Sequence, residues 1–326
     1  MIGHGSAEYA FREAWLGGRM HHAWLLAGPQ GMGKATFAHR AARFLVTHGR
    51  AGAGGAGSLD DPGDPAAAKL VDAGNHPELI SLARQPKDKS KDLARNITID
   101  QVRQMIRRLH LSLSLGDWRV VIIDAVDDLE TDGANALLKT LEEPPAQTLF
   151  LLVSHSPGRL LPTIRSRCRI VRFQPVDRDV MVAWLHEMRP MLDVEEVRAI
   201  AAAAGGVPGK ALALIDSDVA VMERKLTAIA ESGDPGNRLR EALAREVSGT
   251  SNRARLELVI DIVPGLLARI ARERPVEDVG PVLEQWDRVQ RTVRDAVRGS
   301  YDGAMAGFEI GNCLAELAPR GREGAR

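Results

Sequence analysis

An α/β domain with a mostly parallel sheet, continued by a purely helical half, is the architecture this 326-residue sequence predicts. Three observations predict it. Short apolar runs alternate with helical patterns up to about Phe173, as in strands connected by crossover helices. One run, Val120-Val121-Ile122-Ile123, is continuously apolar and β-branched, as a central parallel strand covered on both faces should be. From Pro175 onward the pattern changes and helical periodicity takes over.

Taken in order, Ala23–Ala27 is the first strand candidate and runs into a Gly-rich turn, with a helical run from Ala35 to Phe44 behind it. Residues 49–65, rich in Gly, Ala, Pro and Asp, predict a flexible loop. Glu78–Leu82 predicts a short strand. Pro86–Arg95, rich in Lys and Asp, predicts a second loop. The Arg-bearing helix Gln101–Leu109 precedes the strand Arg119–Asp124. Leu149–Ser154 is the next strand, and Arg169–Phe173, whose charges indicate an edge or an end, is the last. Residues 177–189, 193–204 and 208–216 predict three short helices, separated by Pro190 and by Gly205-Gly206. From Val219 only helical periodicity remains, clearest over Leu256–Val263 and Val282–Val297, and the tail after Ala318 is expected to fray.

Composition narrows the function classes. With 44% hydrophobic and 26% charged residues, the chain can build real cores. Lys+Arg is 43 and Asp+Glu is 43, which excludes a uniformly basic nucleic-acid binder and leaves room for a local basic stripe. Cys168 and Cys313 are the only cysteines, so a disulfide framework and a Cys-rich zinc module are excluded. The start, Met1-Ile2-Gly3-His4-Gly5, lacks the basic and apolar regions of a signal peptide. No apolar run reaches the ~18–20 residues that span a bilayer. A soluble, cytoplasmic, multidomain protein is expected.

The chemistry begins at Gly28-Pro29-Gln30-Gly31-Met32-Gly33-Lys34, a G-x-x-x-x-G-K run between a strand and a helix. Its glycines let backbone N–H groups turn inward around a phosphate. The helix N-terminus adds positive potential, and Lys34 reaches the terminal phosphates. The nucleotide-binding positions are thus Gly28, Gly31, Gly33, Lys34, Ala35 and Thr36, with ATP and Mg²⁺ as the expected cofactors of a degenerate site. The degeneracy lies at Ala35, which stands where a Ser or Thr hydroxyl would ligate Mg²⁺. Thr36 is a poor substitute, since adjacent helix positions point roughly 100° apart. Asp124 ends an apolar strand, where P-loop enzymes place a carboxylate for the metal. A helix cap or turn residue would also fit there. Ala125 follows, where a water-polarising Glu often stands. Asp127 and Asp128 lie beyond in the wrong register.

Further motifs point to a family. Asn135-Ala136-Leu137-Leu138-Lys139-Thr140-Leu141-Glu142-Glu143-Pro144-Pro145 follows the acidic strand, and Leu160-Leu161-Pro162-Thr163-Ile164-Arg165-Ser166-Arg167-Cys168 follows the next one. With Asn75-His76-Pro77-Glu78-Leu79 and His21-His22-Ala23-Trp24-Leu25-Leu26, they closely resemble the clamp-loader branch of the AAA+ ATPases. The resemblance covers the chain in domain order, and its specific motifs lie in residues 2–173.

The resemblance implies an AAA+ P-loop α/β domain over 1–174 with an insertion at about 49–95, an all-α lid over 175–218 and an all-α collar, for oligomerisation, over 219–326. It implies a structural and regulatory subunit of a bacterial DNA polymerase III clamp loader, which loads a sliding clamp on primed DNA during replication. Gamma/tau motor subunits and a delta subunit are the implied partners, with clamp and DNA met through the complex. Arg167 becomes the implied catalytic contribution, an arginine finger on a neighbour's ATP. The alternative is that Arg165, Arg167 and Arg169 form a solvated basic edge. Ser154 stands where active relatives sense the γ-phosphate; a strand-terminal turn residue would look the same. Where such relatives carry a sensing Arg, this chain has Gly209 and Lys210. The four-cysteine zinc site common in the family insertion is absent, His76 alone cannot replace it, and no zinc is expected.

The helical half shows apolar stripes and no chemical cluster. Trp286, spaced with Leu283 and Val289, reads as core rather than as an interface anchor. Arg103, Arg107 and Arg108 form either a solvated face or a contact to DNA phosphates. Two other functions compete. An active motor ATPase of the same branch would need the chemistry missing at Ala35 and Ala125. A small-molecule kinase would need an acceptor pocket with acid–base residues. Nothing resembles a polymerase palm, although such a subunit is classed with the DNA-directed DNA polymerase, a nucleotidyltransferase.

Overall fold

The computed structural model describes residues 2–49, 57–86, 93–215, 218–249, 252–297 and 302–319. The chain divides into two compact units, Met1–Pro175 and Val176–Arg326.

The first unit is built on five parallel strands: β1 (Ala23–Ala27), β2 (Leu79–Ala83), β3 (Arg119–Asp124), β4 (Thr148–Ser154) and β5 (Arg169–Arg172). Their order is β2-β3-β4-β1-β5. Among the described residues six helices accompany them: α1 (Gly5–Leu16), α2 (Lys34–His48), α3 (Pro65–Asp72), α4 (Ile99–Leu109), α5 (Thr131–Glu142) and α6 (Pro162–Ser166). The inner strands are apolar on both sides because both faces are covered. On one face Leu25, Val121, Ile123, Phe150 and Leu152 pack with Val102 and Met105 of α4 and with Leu137 and Leu141 of α5. On the other, Trp24 meets Phe11 of α1 at 5.2 Å, and Phe11 meets Phe37 of α2 edge-on at 6.1 Å. Full burial of such side chains is worth about 1.5–3 kcal/mol each. The predicted edge is found at β5, which pairs only with β1 and exposes Arg169 and Arg172. Charge on an edge strand discourages pairing with another chain.

Helices α1, α3, α5 and α6 have no counterpart among the elements expected above, and α1 and α3 show why. Helix α1 was given no element in the sequence, yet Ala7, Phe11, Ala14 and Trp15 are spaced for one buried helical face. The loop expected over 49–65 ends in a capped helix start. Asp64 accepts from the N–H groups of Ala66 and Ala67, with Pro65 following at the first helical position. The Asp64 N–H in turn donates to the Thr47 carbonyl at 2.9 Å, so this segment closes against the end of α2. Residues 50–56 of that loop lie outside the described residues, as do 87–92 of the second loop, where Pro86 and Leu93 form an isolated antiparallel bridge.

One buried ion pair fixes the β2–β3 edge. The Arg119 guanidinium donates to Glu78 at 2.6 Å, and both side chains are almost fully buried. Arg119 also reaches the carbonyls of Arg108, Leu109, Leu111 and Ser112, while Glu78 accepts from the N–H and hydroxyl of Ser114. The pair therefore ties the end of α4 and the following loop to two strands.

The second unit is helical: α7 (Arg178–Met188), α8 (Val194–Ala204), α9 (Pro208–Leu214), α10 (Val219–Ser232), α11 (Arg238–Glu246), α12 (Arg253–Glu273), α13 (Gly280–Val297) and α14 (Gly303–Ala315). The clearest predicted stretches fall within α12 and α13. Residue 216, the expected end of the third short helix, and residues 320–326 of the tail lie outside the described residues. Gly303, Gly307 and Gly311 form a stripe on α14. A Cβ on them would lie 2.3 Å from the Val247 carbonyl oxygen, 2.5 Å from a Val247 methyl and 2.8 Å from Arg240 Cγ. Helix α14 thus sits close to α11. Trp286 differs from its expected core role. Val289 is buried, but Leu283 is 60% exposed, and the half-buried Trp286 lines a cavity of about 400 Å³ with Pro264, Gly265 and Arg269.

Replacing Arg119 by Met should leave the buried Glu78 carboxylate without its countercharge, held by Ser114 alone, and cost about 3–5 kcal/mol, read as a lower urea midpoint. Burial pushes the Glu78 carboxyl up, but Ser114 and Arg119 together hold it below the usual value. Its stabilising share is therefore full above the unfolded carboxylate pKa and falls away as the pH drops through the lower folded one. That acid sensitivity should diminish in Arg119→Met.

Candidate nucleotide site and a surface arginine

Parallel pairing brings the strand ends together. Ala27 pairs with Ser154 and Asp124 with Val153, so the loop after β1, the acidic end of β3 and the polar end of β4 share one edge. Ligands of open α/β sheets bind at such carboxyl ends. The loop leaves β1 with the Gly28 N–H donating to the Ser154 carbonyl at 3.2 Å and the Phe173 N–H donating to Ala27 at 2.7 Å. A Cβ on Gly28 would lie 2.3 Å from the Phe173 carbonyl oxygen, so only glycine fits. Gly31 and Gly33 take φ of 81° and 80°, and Gly33 is the left-handed cap from which α2 starts.

Lys34 is the first residue of α2. Its ammonium turns back into the loop, donating to the Gly28 carbonyl at 2.7 Å and to the Pro29 carbonyl. It is 2% exposed. Burial pushes its pKa down to about 8, against the opposing pull of Asp124 and Asp127. The cradle's cation thus lies where a phosphate ligand would need it, while its hydrogen bonds go to the loop itself.

The first acidic residue past β3 has a different job. Asp127 accepts from the Ser154 hydroxyl at 3.0 Å, the His155 N–H at 2.6 Å and the Ser156 N–H at 3.3 Å. It latches the exit of β4 to the exit of β3. Ser154 is fully buried, and its hydroxyl is given to Asp127. Asp128 pairs with Arg84 at 3.0 Å. His155, which the sequence did not single out, lies beside this latch; burial and then Lys34 lower its pKa. His4 was also missed. Its Nε2 donates to the Met32 carbonyl within the loop at 2.8 Å, and its ring packs on Phe173 at 4.5 Å. No spacing rule would have linked His4 to Met32, 28 residues on.

The fit to Mg²⁺–ATP is uneven. The loop and Lys34 suit phosphate. For the metal, Asp124 offers a carboxylate, half-buried at the end of β3. Ala35 offers no oxygen, Thr36 lies exposed, and Ala125 is buried with nothing to polarise water.

Arg167 lies away from this cradle in sequence, just past α6, whose Ile164 is buried in the core. Its guanidinium donates to the Thr163 carbonyl at 3.0 Å and pairs with Glu142, the last residue of α5, at 2.6 Å. A third of its side chain is exposed. The three neighbouring arginines do not share one environment. Arg165 donates to the Pro157 carbonyl, and Arg169 stacks 4.5 Å above the Trp24 ring. Cys168 is an inert thiol, pushed up to about 12 by burial.

A sequence profile of the family described as DNA polymerase III, delta subunit, matches residues 3–177, more than half of the chain. The chain belongs to this family. The DNA polymerase III subunit delta' of Pseudomonas aeruginosa is 36% identical over 195 residues, 59% of this chain and 56% of that protein. The subunit delta' of Escherichia coli K12 is 35% identical over 205 residues, 63% of this chain and 58% of that one. The subunit tau of Bacillus subtilis is 30% identical over 224 residues, 67% of this chain and 37% of its own length. The matches thus span a little over half the length of the delta' relatives.

Other residues of this member of the delta-subunit family have their own partners. Lys210, which stands where active relatives carry a sensing Arg, pairs with Asp261 of α12 at 2.8 Å. Of the α4 arginines, Arg103 faces Asp100 at 3.6 Å and Arg108 donates to the Pro77 carbonyl, while all three lie on the exposed face. His76 is buried, and its Nδ1 accepts from the Glu78 N–H. Among the described residues no helix is long and apolar enough to cross a membrane.

The lowered Lys34 pKa fixes the sign of one pH dependence. A phosphate beside Lys34 favours the charged ammonium and raises its pKa above 8, so binding takes up protons. ATP affinity should fall as the pH rises past 8, by up to ~tenfold per pH unit. Calorimetry in two buffers of different ionisation enthalpy at pH 8 should register the uptake.

Proposed function

We propose that this chain is a delta-prime subunit of a DNA polymerase III clamp loader in the bacterial cytoplasm. It serves as a structural and regulatory member of the ring that loads the sliding clamp on primed DNA. It assembles with gamma/tau motor subunits and a delta subunit, keeps a nucleotide-shaped cradle that hydrolyses ATP slowly or not at all, and presents Arg167 to the ATP of a neighbour. The lid and collar are assigned to 175–218 and 219–326.

The observation that carries this function is a division of labour. The oxygens that catalysis needs are missing at Ala35 and Ala125, while Arg167 keeps a third of its side chain exposed and bonds to Thr163 and Glu142 rather than to the cradle. A guanidinium brought to a γ-phosphate neutralises charge that develops in transfer, and a trans arginine is worth about 10³–10⁵ in rate in well-studied NTPases. The likeness to proteins named delta' and tau supports the same assignment.

The isolated chain should show no ATP turnover above background in a phosphate-release assay; robust turnover would make it a motor subunit. In a complex reconstituted with motor and delta subunits, Arg167→Ala should leave the chain folded and assembled, since a half-exposed ion pair contributes only about 0–1 kcal/mol. Turnover at the site it faces should be lost. Undiminished turnover of the complex would remove the arginine-finger assignment.

A further inference from the structure

We infer that Glu142 is a positioning residue for Arg167, holding one edge of its guanidinium so that the other edge is presented outward. This rests on the finger assignment above and adds to it the group that aims the finger.

The geometry starts from the arginine's own freedom. An arginine side chain has many rotamers, and one that is a third exposed would sweep widely unless something held it. Two anchors on different elements hold Arg167. One Nη donates to the Thr163 carbonyl in α6, and the other meets Glu142 Oε1 at the end of α5. A guanidinium has five N–H donors in a rigid plane, so these two bonds leave three donors for another acceptor. The arginine can therefore keep both anchors while it engages a phosphate. Glu142 need not let go for the finger to work.

The anchors are themselves fixed. Leu141, beside Glu142, is buried in the core of the sheet, and Leu137 lies one turn earlier. On the other side, Ile164 and Cys168 flank the arginine and pack against the same core. Helix α5 ends at Glu142 and is followed by Glu143, Pro144 and Pro145, and proline cannot continue a helix. The carboxylate thus stands at a defined helix end, facing an arginine at another. A bond so exposed adds little to stability. What it supplies is orientation, and misplacing a catalytic group by about 1 Å can cost 10²-fold in rate.

The test uses the full chain in the reconstituted complex, with Glu142→Gln, Glu142→Ala, Arg167→Ala and the double variant Glu142→Ala/Arg167→Ala. Steady-state ATP turnover gives kcat and KM, and thermal melts of each free chain monitor the fold. Glu142→Gln keeps an acceptor oxygen and loses the charge, so kcat should fall about threefold. Glu142→Ala should lower it about tenfold. KM and melting temperature should stay at the wild-type values in both. The double variant should be no slower than Arg167→Ala alone, because a residue that acts only through Arg167 has nothing left to do without it. If Arg167→Ala lowers kcat while both Glu142 variants run at the wild-type rate, the positioning role is wrong and the finger stands. An additive loss in the double variant, or a fall in melting temperature that accounts for the lost rate, also overturns the positioning role. If Arg167→Ala itself leaves turnover unchanged, the finger fails and Glu142 has nothing to aim.

Discussion

All-parallel strand pairing is the constraint on which the rest of the first unit depends. It sends the carboxyl ends of β1, β3 and β4 to one edge of the sheet, where the pairs Ala27–Ser154 and Asp124–Val153 lie in neighbouring rows. From those rows come the glycine loop, the acidic strand end and the turn that Asp127 secures. The inner strands β1, β3 and β4 are buried because a helix must cross the sheet to start the next one. The same crossovers carry α5 and α6 to their meeting at Glu142 and Arg167.

Within that frame the electrostatics are mostly self-contained. Lys34 satisfies its own loop, Asp127 satisfies the exit of β4, and Lys210 and Arg119 each find a carboxylate. A buried charge without partners is costly, and the carbonyls of Gly28 and Pro29 supply them for Lys34. Phosphate entering the loop would have to replace two carbonyl acceptors at Lys34 with something stronger. The charged oxygens of a phosphate meet that requirement.

The sheet was legible where one physical signal dominated. Val120 to Ile123 and Leu149 to Val153 are continuous apolar runs, and every one of these residues is buried. The glycine loop was legible for a similar reason, since no other residue type tolerates its backbone. Helix α1 escaped notice because its buried face, Phe11 with Trp15, sits among charged and small residues that weaken the pattern. Pairings across the chain were invisible. Nothing local marks Glu142 as the partner of Arg167, or Asp127 as the acceptor for Ser154. Such contacts exist only once the sheet has placed distant segments side by side. The stripe Gly303, Gly307, Gly311 was readable as a four-residue spacing, but it carries meaning only with α11 laid against it.

The Gly/Ala-rich segment has its two ends held to the same helix. Gly49 closes α2 and accepts from the Trp15 indole, and Asp64 returns to the Thr47 carbonyl just before α3 begins. The excursion therefore starts and finishes within one helical turn of itself. Lengthening such a closed excursion is cheap, because doubling the number of residues adds only about 0.6 kcal/mol of closure entropy. The segment between these two stitches can thus be lengthened at little cost provided that the buried Leu59 and the Arg40–Asp60 pair are kept, which makes this a natural place to graft a foreign module.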